Sequence, residues 1–222
     1  VSTTNLVVAA GAAGGLGAFP ALNYRPINKY ISALNDINQQ SNQPYGVNII
    51  VQKSNQERHK HLELALEHKA ALIITSLGKP DEVIKIAHQG GAKVYCDVIN
   101  LEHAKKVVDL GADGLVAVGQ GAGGHAGFTS PFVLIPQLAR NFSVPVVAAG
   151  GIVDGAGMAA AFALGASAAY MGTRFIASKE CEVSAEYKQA ILNSTVKDVI
   201  NTEKVDGYPG NFIYTQALEE IG

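Results

Sequence analysis

Only two cysteines, Cys96 and Cys181, occur in 222 residues. Neither belongs to a CxxC or Cys/His spacing, so the sequence has no disulfide framework and no zinc ligand set. Charge of one sign is missing as well: 17 basic residues stand against 19 acidic ones, a formal charge of −2, without a long run of either. Nucleic acid and anionic lipid therefore find no electrostatic footprint, and the expected partners are small molecules. No apolar run suits a membrane span, because the most apolar stretch, Val144 to Gly172, is broken by Asp154 and by glycines. No charged leader with a cleavage site opens the chain, which reads as cytoplasmic. The sequence leaves a homo-oligomer open.

What is abundant is apolar residues, at 48%, enough for one core, and glycine, with 24 residues grouped where strands would end. Short β-branched runs alternate with amphipathic stretches of helix length, the pattern of a parallel sheet built by crossovers. Seven strands are expected near Leu16–Phe19, Gly46–Val51, Ala71–Thr75, Lys93–Asp97, Gly114–Ala117, Pro145–Ala149 and Ala168–Met171. Helices are expected near Pro26–Gln40, Gln56–Lys69, Pro80–Gln89, Leu101–Leu110, Pro131–Asn141 and Asp154–Leu164, three of them opening on a proline. Val1-Ser2-Thr3-Thr4-Asn5 followed by Leu6-Val7-Val8-Ala9-Ala10 reads as a capped helix start, the helix ending at Gly14-Gly15 before the first visible strand. In a βα repeat that helix needs a strand before it, and seven plus one makes the eight of a closed (β/α)8 TIM barrel. The sequence is thus expected to begin late, with a barrel domain over residues 1–200 that lacks its first strand. A polar tail, or a fragment of a further segment, is expected over 201–222.

Barrel active sites are assembled from the loops after the strands, with phosphate often bound after strands 7 and 8. Counting the missing strand as the first, strand 7 is followed by Ala149-Gly150-Gly151-Ile152 and by Asp154-Gly155 at a helix start. Strand 8 leads into Met171-Gly172-Thr173-Arg174-Phe175. Bare amides, a helix N-terminus, a hydroxyl and a cation can meet one anion there. After strand 6 runs Gly119-Gln120-Gly121-Ala122-Gly123-Gly124-His125-Ala126-Gly127, against whose main chain a planar ligand can rest. His125 is the only titratable group in that loop, placed to exchange a proton or to donate to an oxyanion. Asn48, within an otherwise apolar β run, and Ser76 and Asp97, at the ends of the next two strands, are candidates to hydrogen-bond a heterocycle. The remaining histidines, 59, 61, 68, 88 and 103, lack the i,i+4 and HExxH spacings of a metal site and are expected on solvated faces.

Gly14-Gly15-Leu16-Gly17, Tyr45-Gly46-Val47-Asn48, Thr75-Ser76-Leu77-Gly78, Ala122-Gly123-Gly124-His125-Ala126-Gly127, Ala148-Ala149-Gly150-Gly151-Ile152 and Met171-Gly172-Thr173-Arg174-Phe175 occur in this order. In that combination the chain resembles the nitronate monooxygenase family, formerly the 2-nitropropane dioxygenases, from residue 1 to about 200. The resemblance implies an FMN-binding barrel that oxidises a nitronate or nitroalkane with oxygen. His125 would be its active-site histidine. Ala149, Gly150, Gly151, Met171, Gly172 and Thr173 would line the FMN phosphate, while Asn48, Ser76, Asp97 and the Gly123-Gly124 main chain would lie at the ring. The family's first strand carries an Ala-Pro-Met segment that is absent here. Val118 and Gly121 stand where many members have a glutamine and an acidic residue, and Asp97 where some relatives have a lysine. FMN-dependent enoyl-thioester reductases and NAD(P)H:quinone reductases look similar at these motifs. A flavin-free barrel lyase or isomerase acting on a phosphorylated substrate, or a phosphate-binding module, would use the same anion turns.

Overall fold

A computed structural model describes residues 1–221. The chain divides into two compact units. The first comprises Val1–Asp97, Lys105–Gly114 and Lys179–Glu182; the second comprises Val98–Ala104, Leu115–Ser178 and the residues from Val183 onward.

The first unit opens with α1 (Thr4–Ala12), β1 (Gly17–Pro20), α2 (Ile27–Gln40), β2 (Tyr45–Ile50), α3 (Arg58–Glu67), β3 (Leu72–Ser76), α4 (Asp81–Gln89) and β4 (Lys93–Val98). Its strands pair in parallel, Phe19 beside Val47, Val47 beside Ile73 and Ile73 beside Val94. Those four side chains are almost fully buried, as is Ile49. Helix α2 adds Tyr30, Ala33, Leu34 and Ile37, whose i, i+3, i+4, i+7 spacing is one helical face. Full burial of each large apolar side chain contributes about 1.5–3 kcal/mol before conformational entropy is set against it. The strand period of two has a further result. Residues alternating with the buried Val47, Ile73 and Val94 sets, among them Asn48, Ser76 and Asp97, project from the opposite face and are only half-buried.

After α5 (Leu101–Asp109) come β5 (Gly114–Val118), β6 (Gly124–His125), α6 (Pro131–Asn141), β7 (Val146–Ala149), α7 (Gly155–Ala163), β8 (Ala168–Tyr170), α8 (Thr173–Ile176), α9 (Ala185–Asn193), β9 (Val199–Thr202), β10 (Gly210–Ile213) and α10 (Gln216–Glu220). Strands β5, β7 and β8 pair in parallel, Ala117 beside Ala148 and Ala148 beside Ala169. Helix α6 buries Leu134, Ile135 and Leu138. Seven parallel strands alternating with helices make the fold α/β and TIM-barrel-like. Each lies within a residue or two of its expected place, and Pro26, Pro80 and Pro131 all stand at helix starts. Thr3 is the N-cap of α1, but its hydroxyl makes no capping bond. The segment from 201 on, expected as a tail, starts inside β9, and β6, β10 and β9 form a small antiparallel sheet. No helix among the described residues is long and apolar enough to cross a membrane. Both cysteines are free and buried, and burial pushes the Cys96 thiol up to about 11.

His61 departs from its expected solvated face. It is fully buried in α3, its ring edge-on to Tyr30 with centroids 5.0 Å apart, and neither ring nitrogen has a hydrogen-bond partner. The charged residues around it, Arg58, Lys60 and Glu63, mark the helix as solvated in sequence, but position 61 falls on the buried side with Leu62 and Ala65. Burial lowers its pKa; Glu57, 4.0 Å away, opposes that and Arg25 adds to it. The folded chain therefore holds a neutral imidazole, whereas the unfolded chain takes up a proton near the ordinary value of about 6.5. Stability is full above that value and is lost as pH falls through it towards the lower folded value. Urea midpoints of the wild type should fall between about pH 7.5 and about 5.5, and His61→Phe should flatten the fall. Equal slopes for the two chains would show that His61 does not titrate with unfolding.

Candidate active site

Three turns of the second unit meet where glycine alone permits it. A Cβ on Gly150 would lie 2.8 Å from the Ala122 nitrogen and 3.1 Å from the Gly119 carbonyl oxygen. One on Gly121 would lie 3.1 Å from the Gly151 nitrogen, and one on Gly123 would lie 2.5 Å from the Thr173 hydroxyl. The loop after β5 thus touches the turn after β7 at one point and the turn after β8 at another. Its own shape is set by Gly119 N–H donating to Ala149, Gln120 N–H to Thr129 and Ala122 N–H to Gly119. Asn211 of β10 completes the restraint, its amide donating to the carbonyls of Gln120 at 2.7 Å and Ala122 at 2.8 Å.

The turns around Gly150 and Gly172 suit an anion. Gly150 and Gly151 have φ of 117° and 71°, and successive amides in such turns form a concave donor set. Among the described residues the N–H groups of Gly151 and Gly172 donate to no backbone carbonyl. A Cβ at either position would meet nothing within 4 Å, so both open onto free space. The start of α7 contributes less than expected, because Asp154 caps it by accepting from Gly157 N–H at 2.9 Å. Ala149 ends β7 and Met171 follows β8, each one residue before a glycine of the cradle.

His125 lies in β6, paired with Gly210 of β10. Its Nε2 is 2.8 Å from Oδ2 of Asp206, with the two side chains 39% and 43% exposed. The Tyr208 ring stands edge-on to the imidazole at 6.0 Å. Asp206, Tyr208 and Asn211 are site residues that the sequence did not single out. The available signal was Asp206-Gly207 between two short strands, a hairpin turn with Gly207 at φ 84°, but a turn does not say which loop its hairpin will join.

In the first unit Asn48, Ser76 and Asp97 form a hydrogen-bonded row. Ser76 Oγ lies 2.5 Å from Asp97 Oδ2, and Asn48 Nδ2 lies 2.7 Å from Ser76 Oγ. A carboxylate only accepts, so the serine hydroxyl is spent on Asp97 and Asn48 must be the donor to Ser76. The asparagine carbonyl oxygen is left as an acceptor. Among the described residues no group of three His, Cys, Asp or Glu side chains could hold a metal ion.

The family model for nitronate monooxygenase matches residues 55–222. Over the whole chain there is 32% identity to an octahydroindene-carboxyl-CoA dehydrogenase of Rhodococcus jostii, of which this chain covers 62%. A nitronate monooxygenase of Paraburkholderia phytofirmans is 38% identical over 156 residues, 66% of this chain and 43% of that protein. The chain therefore spans about three fifths of the length of the first relative. The structure of FabK from Thermotoga maritima superposes on 99% of this chain and 70% of its own, with a TM-score of 0.92 and 35% identity.

Substituting Gly150→Ala puts a methyl against the Ala122 amide at a φ that L-residues rarely adopt, whereas Gly155, with nothing near its Cβ, is a neutral neighbour. The first substitution should lower stability by about 1–3 kcal/mol and weaken phosphate or FMN retention, and Gly155→Ala should do neither. Thermal melts with and without added ligand check this, and equal behaviour of the two variants would remove the close approach as the reason for the glycine.

Proposed function

We propose, starting from the plain fact that the chain belongs to the nitronate monooxygenase family of oxidoreductases, that it binds FMN and oxidises nitronates or nitroalkanes with oxygen to carbonyl compounds and nitrite. The observation that carries this reading is the glycine loop: it bears an imidazole braced by a carboxylate and touches both anion turns. FMN, when bound, supplies the electron transfer between substrate and oxygen.

The rest falls to the chain itself. The Gly151 and Gly172 amides and the Thr173 hydroxyl hold the phosphate, for which an open, glycine-lined cradle of unspent donors is a chemical fit. The Gly123-Gly124 main chain, free of side chains, would face the planar ring. Within the first unit Asn48 keeps its carbonyl oxygen as an acceptor, with Ser76 and Asp97 holding the amide in that orientation. His125 takes a proton from the carbon beside the nitro group, or hydrogen-bonds the nitro oxygens where charge collects. Small substrates and oxygen are the reactants on this reading.

One observation favours a second reading. The carboxyl-CoA dehydrogenase relative is 32% identical to the chain along its whole length. With a CoA thioester as substrate, His125 would handle the proton on the carbon beside the thioester carbonyl, and NAD(P)H or the thioester would exchange electrons with the flavin. An NAD(P)H:quinone reductase would use the same flavin without a carbon acid.

The purified protein should be yellow, and anaerobic propionate 3-nitronate should bleach it faster than NADH, NADPH or an enoyl-CoA. Bleaching by the nicotinamides alone would replace the first reading with the reductase one. A colourless protein that takes up no FMN would replace both with a phosphate-binding lyase or isomerase. His125→Asn should retain FMN and lose about 10²–10⁴-fold in nitroalkane turnover; undiminished turnover would discard its role.

A further inference from the structure

We infer that Asp206 is a positioning residue that fixes the tautomer of His125 and leaves Nδ1 as the nitrogen that exchanges a proton with substrate; this rests on the proton-transfer role given to His125 above. A carboxylate accepts hydrogen bonds and donates none. With Oδ2 of Asp206 at 2.8 Å, Nε2 must carry the hydrogen, so the neutral ring has its lone pair at Nδ1 and the charged ring has its second N–H there.

Asp206 is itself held. Its other oxygen, Oδ1, accepts from the Tyr208 N–H at 3.3 Å, which orients the carboxylate within the turn between β9 and β10. The Tyr208 ring, edge-on to the imidazole, narrows the ring's rotation. The turn is fastened to the loop that it serves: Gly210 pairs with His125, Ala126 N–H donates to Pro209, and the Asn211 amide holds Gln120 and Ala122. A Cβ on Gly210 would lie 3.0 Å from the Gly124 carbonyl, so the hairpin sits as near to β6 as a chain can. Positioning side chain and positioned imidazole thus belong to one hydrogen-bonded unit.

An ion pair with both members more than a third exposed contributes little to folding. A structural role therefore does not account for Asp206, and its removal should leave the protein folded. The pairing has the form in which a carboxylate orients a histidine for proton transfer and stabilises the imidazolium that forms.

The test uses the whole chain with ¹⁵N-labelled histidine, the His125 signals being assigned by their loss in His125→Asn. The neutral wild-type ring should be protonated at Nε2 only, and Asp206→Asn, whose amide can also donate, should populate the Nδ1–H form. In turnover, Asp206→Asn should lose about tenfold to a hundredfold in kcat, with KM within about twofold and melting temperature and FMN content unchanged. Asp206→Glu should recover part of the loss. Identical nitrogen shifts in wild type and Asp206→Asn would overturn the proposal, as would a kcat loss that tracks a fall in melting temperature. The nitrogen shifts need no turnover, so a wild type that oxidises none of the substrates above would defeat the functional reading, while the spectra alone would still decide whether Asp206 sets the tautomer.

Discussion

A side chain on Gly150 would strike the Ala122 amide, and one on Gly123 would strike the Thr173 hydroxyl. Those two absent methyl groups let the loop after β5 lie against the turns after β7 and β8, and every feature of the second unit's site follows from that approach. Backbone packed this closely has few ways to move, because the carbonyls and amides on either side are tied into strands. It also leaves donors over. Among the described residues the amides of Gly151 and Gly172 donate to no backbone carbonyl, and an anion such as phosphate uses such donors without needing a side chain.

Backbone amides recognise charge and shape but cannot move protons. That work needs a side chain that can both give and take a proton, and the glycine loop carries one, His125. An imidazole on so flexible a sequence would ordinarily be poorly aimed. The structure answers this with the hairpin of β9 and β10, which adds strand pairing, the Asn211 amide and the Asp206 carboxylate to a loop whose own residues supply almost no side-chain contacts. Rigidity is borrowed from a later part of the chain.

This division explains what is legible in the sequence and what is not. Val47, Ile49, Ile73 and Val94 sit in runs of period two that specify a strand from neighbours alone, and the spacing of Tyr30, Ala33, Leu34 and Ile37 does the same for a helix. The glycine turns are legible because each falls just after a strand, where a close approach has a local meaning. Asn48, Ser76 and Asp97 are legible one by one as polar residues in or at the ends of apolar strands. The His125–Asp206 and Asn211–Gln120 pairings are not, since they join residues 81 and 91 positions apart through a short antiparallel sheet with no hydrophobic pattern of its own. His61 misleads for a related reason. Its charged neighbours on α3 look solvated, and only packing against Tyr30 reveals which side of the helix it occupies.

The site therefore has a general part and a particular part. On the reading proposed above, phosphate-holding amides depend on glycines and turn geometry rather than on the substrate, which suits a chain similar to both a nitronate monooxygenase and a carboxyl-CoA dehydrogenase. On the same reading, discrimination between a nitro group and a thioester falls to side chains beside the imidazole, since the two differ in where negative charge gathers when the neighbouring carbon loses a proton. In the second unit those side chains belong to the turn from Asp206 to Tyr208. The hairpin holds the glycine loop through Asn211 and the imidazole through Asp206, so it joins the fixed backbone of the turns to the one side chain of the loop that can exchange a proton.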